Sequence, residues 1–108
     1  MAARKVWGRR RYVGFRVAME RGAPPDRQAM VEALDAAADG AGLRRDRRLT
    51  IFSGELGIAR CGHTEVAAMT EALRGIRTVD GRGARVETLV TSGTIKKVKG
   101  HLGLDRVG

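Results

Sequence analysis

Residues 49–61 read Leu-Thr-Ile-Phe-Ser-Gly-Glu-Leu-Gly-Ile-Ala-Arg-Cys. Two short β-prone segments, Leu49 to Ser53 and Leu56 to Cys61, flank Ser53-Gly54-Glu55, which reads as a hairpin turn. In the second segment Gly57, Ala59 and Cys61 share one face and Ile58 and Arg60 share the other. Small residues on one face of a strand let a helix pack close. This hairpin decides the fold, because a helical pattern lies on each side of it and a further strand lies beyond each helix.

Upstream, Tyr12 to Met19 alternates: Val13, Phe15, Val17 and Met19 point one way, and Tyr12, Gly14, Arg16 and Ala18 the other. Gly22 to Pro25 is a turn, since proline cannot donate to a strand ladder. Asp26 is a good N-cap for a helix whose stripe is Met30, Leu34 and Ala37 or Ala38, ended by Gly40 and Gly42. Downstream of the hairpin, His63 or Thr64 starts a second helix with Val66, Met69, Leu73 and Ile76 on one face. Asp80 to Gly83 is a turn. Ala84 to Thr91 is a fourth strand, with Val86 and Val90 on one face and Leu89 on the other. Ser92 to Leu102 reads as a last helix with Ile95, Val98 and Leu102 along one side.

The order is β-α-β-β-α-β plus an extra C-terminal helix. That is an α+β, ferredoxin-like (split βαβ) two-layer sandwich. Right-handed crossovers put the two main helices on one sheet face. The other face is left for the last helix, a partner or RNA, and the orientation of the last helix stays open. Residues 1–10 read as a flexible basic arm, 11–103 as one domain and 104–108 as a frayed tail.

The charge is strongly positive and unevenly placed. Lys plus Arg number 21 against 12 Asp plus Glu, a net charge of +9 on 108 residues. Residues 1–16 carry +6, 44–48 carry +3 and 96–99 carry +3, so the remainder is about −3. Three basic clusters on a slightly acidic body point to a polyanion partner, nucleic acid first. Lysine and arginine spread merely for solubility would be interspersed with acids. No apolar run is long enough for a membrane span, and the arginine-rich start lacks the apolar stretch of a secretory signal. A single cysteine, Cys61, fits a reducing, cytoplasmic setting.

Thr91-Ser-Gly-Thr-Ile-Lys-Lys97 places hydroxyls, a glycine and two lysines at a helix start. Such a start can hold phosphate; it can equally be an ordinary cap with solvated lysines. Arg16 and Arg60 share a sheet face, and lie close if their strands are neighbours. They can hold a phosphate or pair with carboxylates. Cys61, His63 and His101 are too few and too scattered for a metal site. No nucleophile–base constellation and no paired carboxylates appear. A phosphate-cleaving enzyme of the acylphosphatase type on this fold would need an asparagine, and the chain has none.

The run Gly57-Ile-Ala-Arg-Cys61, the following helix with Val66 and Leu73, and Ser92-Gly-Thr-Ile-Lys96 resemble the Pop-five/Rpp-fourteen type subunit of archaeal and eukaryal ribonuclease P. Arg10-Arg-Tyr-Val13 fits that family's basic-aromatic first strand. The resemblance spans roughly residues 9–102. It implies a ferredoxin-like fold with an added helix and an Rpp-thirty type protein partner. It also implies a self-dimer within a heterotetramer and contact with ribonuclease P RNA, reaching precursor tRNA only indirectly. The holoenzyme, an endoribonuclease, removes the 5′ leader of precursor tRNA. RNA and its associated Mg2+ perform the chemistry, and the protein binds no cofactor or metal and supplies no catalytic residue. This chain departs from the family in its arginine-rich segment after the first helix and its sparse basic tail.

The resulting expectation is an RNA-binding subunit of that ribonucleoprotein. Arg9, Arg10, Arg11, Lys96, Lys97 and Lys99 are the phosphate contacts, supported by Ser92 and Thr94, with Arg16 and Arg60 as further candidates. The alternative is a protein-interaction scaffold of another ribonucleoprotein that does not itself touch RNA.

Overall fold

A computed structural model describes residues 10–41 and 47–104. Arg9, Arg44 and Arg45 lie outside the described residues. The elements run β1 (Arg10–Met19), α1 (Arg27–Ala41), β2 (Arg48–Ser53), β3 (Leu56–Gly62), α2 (Val66–Arg74), β4 (Thr78–Val79), β5 (Arg82–Ser92) and α3 (Ile95–Leu102). The strands form one five-stranded sheet in the order β2-β3-β1-β5-β4, with every neighbouring pair antiparallel. The protein is a mixed α+β sandwich with three α-helices among the described residues.

The main core lies on one sheet face. Val13, Phe15 and Val17 of β1, Ala59 and Cys61 of β3 and Val86 of β5 meet Met30, Leu34 and Ala38 of α1 and Met69, Ala72 and Leu73 of α2. The period-2 and period-3.6 patterns read from the sequence therefore face one another. Gly57 does not admit a helix, as its small size suggested. It admits the Phe15 ring, which a Cβ at Gly57 would overlap. Phe52 packs beside Phe15 with ring centroids 6.4 Å apart. Asp26 caps α1 by accepting the Ala29 N–H at 2.8 Å.

Several boundaries differ from the sequence expectation for physical reasons. Arg10 already belongs to β1 rather than to an arm. Asp80 and Gly81 both have positive φ, 57° and 73°. That is the two-residue turn whose twist matches a hairpin. It folds Thr78–Val79 back on Arg82–Gly83, adding a fifth strand and starting β5 two residues early. The pairing of β1 with β5 shifts between Gly14 and Phe15, leaving Leu89 without a partner in the ladder. One bulged residue reverses the alternation. Val86, opposite Val17, thus faces the core, while Val90, opposite Gly14, faces the other side. His63–Glu65 forms a single 3-10 turn before α2, and α2 ends at Arg74, so Ile76 is buried from beyond the helix. The last helix begins at Ile95 rather than Ser92.

The last helix covers the centre of the second sheet face. A Cβ on Gly14 would come within 2.8 Å of Val98, 2.9 Å of Val90 and 3.1 Å of Leu102. Val98 and Ile58 are fully buried there, outside the main core. No helix of the described residues is long and apolar enough to cross a membrane.

Candidate nucleic-acid interface

Antiparallel pairing brings the start of β1, the start of β2, the end of β3, the end of β5 and the start of α3 to one end of the sheet. Basic residues occupy all but β5 there. Arg10 and Arg11 begin β1, Arg48 begins β2, Arg60 is near the end of β3, and Lys96 and Lys97 open α3. Lys96 and Lys97 are exposed, whereas Lys99 is half-buried.

Arg11 and the Ser92-Gly93-Thr94 loop converge. The Arg11 Nη1 donates to the Arg10 carbonyl at 3.0 Å, and a Cβ on Gly93 would lie 3.4 Å from that same Nη1. Each hydroxyl of the loop accepts one backbone N–H. Ser92 Oγ accepts the Thr94 N–H at 3.3 Å, and Thr94 Oγ1 accepts the Lys97 N–H at 3.4 Å. The local geometry is thus an N-cap. It leaves the Ile95 and Lys96 N–H groups as the open donors of the first turn, where lysines oppose the helix dipole.

Arg60 and Arg16 do not come together. Both face the α3 side, but the register sets Arg16 opposite Leu56 and Glu87, and Arg60 opposite Tyr12 and Arg48. Four residues of strand, about 13 Å, separate Tyr12 from Arg16 along β1. Arg16 reaches Glu55, Nη1 to Oε1 3.9 Å, with both side chains half exposed. A pair of that kind is worth little energetically, yet it shows that Arg16 sits among acids. The open concavity at the opposite end of the sheet mixes Arg16, Arg74, Arg77 and Arg85 with Glu20 and Glu87. The middle basic cluster also divides. Arg47 binds Asp35 and Asp39 of α1 at 3.4 and 2.9 Å, whereas Arg48 forms no ion pair among the described residues.

Cys61 is buried beneath this end of the sheet. Burial pushes its thiol up to about 11, the Glu65 carboxylate adds to the rise and the Arg11 charge partly offsets it. It is therefore a neutral, fully buried core side chain. No cluster of three or more metal-ligating side chains occurs among the described residues.

The sequence places Arg48 in the 44–48 basic cluster but reveals neither its position opposite Arg60 nor the Tyr12–Arg60 pairing. Both depend on register across three strands.

These features define a small α+β module whose basic side chains gather at one end of an antiparallel sheet, without an ion pair among the described residues. The chain belongs to the Rpp14/Pop5 family, whose model matches residues 11–102. Its fold is similar to that of a chain in the cryo-EM structure of yeast ribonuclease MRP. The TM-score is 0.65 at 15% sequence identity, over 91% of this chain and 94% of that one. No curated protein matches the chain.

Proposed function

We propose that this protein is an RNA-binding subunit of a ribonuclease P-type ribonucleoprotein and supports the catalytic RNA in removing the 5′ leader of precursor tRNA. The observation that carries the reading is the end of the sheet that holds Arg10, Arg11, Arg48, Arg60, Lys96 and Lys97, none with an ion pair to any described acid. Mutual repulsion there is relieved by a polyanion. Membership of the Rpp14/Pop5 family supports the choice of ribonucleoprotein. The order β2-β3-β1-β5 supports a ferredoxin-like core, to which β4 and α3 are additions.

In this reading Arg10, Arg11, Lys96, Lys97 and Lys99 contact phosphates. Ser92 and Thr94 shape the loop that presents them, and Arg60 joins from β3. Arg16, already beside Glu55, contributes least. RNA and its Mg2+ carry the hydrolysis, and an Rpp-thirty type subunit and a second copy of this chain complete the protein part. The setting is cytoplasmic.

Reconstitution tests the reading. Ribonuclease P RNA and the partner subunits are assayed for precursor-tRNA cleavage with and without this chain. Addition should raise the rate or lower the Mg2+ requirement; an unchanged rate and Mg2+ requirement would contradict the assignment.

A further inference from the structure

We propose that the transverse row Arg48–Arg60–Tyr12 is a seat for one unpaired nucleotide of RNA, its base against the Tyr12 ring and its phosphate between the two arginines. The inference rests on the RNA-binding reading and narrows it to a single-stranded element at a defined place.

Three observations carry it. First, the register sets Arg48 opposite Arg60, Arg60 opposite Tyr12, and Tyr12 opposite Ser92. At the usual strand spacing this row crosses the sheet in about 15 Å. It lies on the α3 face, one pleat beyond the Ile58–Gly14–Val90 row that the helix covers. Second, two arginines directly opposite each other repel. Neither forms an ion pair among the described residues. An anion between them removes the repulsion. Third, the Arg60 Nε–H is shut off from water and has no acceptor among the described residues. A donor in that state is costly. A phosphate taking the Nε–H and one Nη–H as a fork supplies what is missing, after a small rotation of the guanidinium.

Tyr12, the chain's single tyrosine, supplies an aromatic face next to this anion seat. A base can stack on it only if it has left its own helix, so duplex RNA does not fit. Arg48, read in the sequence only as part of the 44–48 basic cluster, becomes a binding residue, and Ser92 at the end of the row links it to the α3 loop.

The test uses the full chain with two probes of equal length, an unstructured oligouridylate and a blunt RNA duplex. Tyr12→Leu should weaken oligouridylate binding about tenfold and leave duplex affinity unchanged, with Tyr12→Phe retaining wild-type binding. Arg48→Gln, an exposed position that does not threaten folding, should lower the oligouridylate log–log salt slope by about 0.7. A 5-iodouridine probe should cross-link to Tyr12. The seat is wrong if folded Tyr12→Leu binds both probes like wild type, or loses both equally. Should Tyr12→Leu fail to fold, an unchanged slope in Arg48→Gln or a cross-link that maps elsewhere overturns it instead. If duplex binding responds to Lys96 and Lys97 variants while Tyr12 and Arg48 have no effect, only the seat falls. Absence of salt-dependent binding of wild type to either probe overturns the broader reading as well.

Discussion

Val98 of α3 stands directly over Gly14 of β1, so close that a Cβ at position 14 would lie 2.8 Å from Val98 Cγ1. This contact fixes where the last helix sits and thereby where its lysines emerge. Gly14→Ala reduces the freedom of the unfolded chain, a gain of well under 1 kcal/mol. Overpacking against three side chains outweighs it, for a net loss of about 1–3 kcal/mol. Denaturant unfolding measures the loss, and amide exchange in 95–102 should speed up. A variant as stable as wild type would mean that α3 is not seated on Gly14.

The N-cap of α3 is separable from its packing. Thr94→Ala should cost about 1 kcal/mol, and Thr94→Ser should restore most of it. Equal stability of all three proteins would show that the Thr94–Lys97 hydrogen bond contributes nothing.

Arg82 ties the start of β5 to the turn before α1. Its Nη1 donates to the Arg21 carbonyl at 3.1 Å and the Ala23 carbonyl at 2.9 Å. Arg82→Ala should lower stability by about 1 kcal/mol and expose the 21–25 segment to limited proteolysis. An unaltered cleavage pattern would speak against the clamp.

Much of this framework was legible in the sequence. Val13, Phe15 and Val17 alternate, Met30, Leu34 and Ala37 or Ala38 recur at helical spacing, and both patterns point to the core, in which Ala38 is the buried alanine. The central hairpin and the Asp26 cap were equally plain, because each is a local choice of backbone. What escaped was non-local. The bulge at Leu89 depends on how β5 meets β1, and it moves Val90 to the other face. The partner of Arg60 depends on the register of β2, β3 and β1 together, which no spacing within one strand reveals. The covering of the second face was open in sequence, and the lack of a side chain at Gly14 is what admits α3 there.

The Cys61 thiol provides a pH signature. Its value in the fold, about 11, lies above the ordinary 9.0. Between those values the folded state holds a proton that the unfolded state has lost, so stability falls as pH rises. The contribution is fully present below about 9 and disappears through about 11. The stability difference between wild type and Cys61→Ala should therefore shrink over that window, and the native thiol should react slowly at pH 8. A difference that stays constant with pH, or rapid native alkylation, would contradict the buried neutral thiol.

The central claim is that the basic end of the sheet, with the α3 lysines, binds RNA phosphates. Its most direct measurement is the salt dependence of binding to ribonuclease P RNA by wild type and by Lys96→Glu/Lys97→Glu. Both lysines are exposed, so the exchange should leave folding intact. With roughly 0.7–0.9 of log–log slope per phosphate contact, the double variant should bind more weakly and with a slope reduced by about one to two. An unchanged slope would show that this end of the sheet does not contact the RNA.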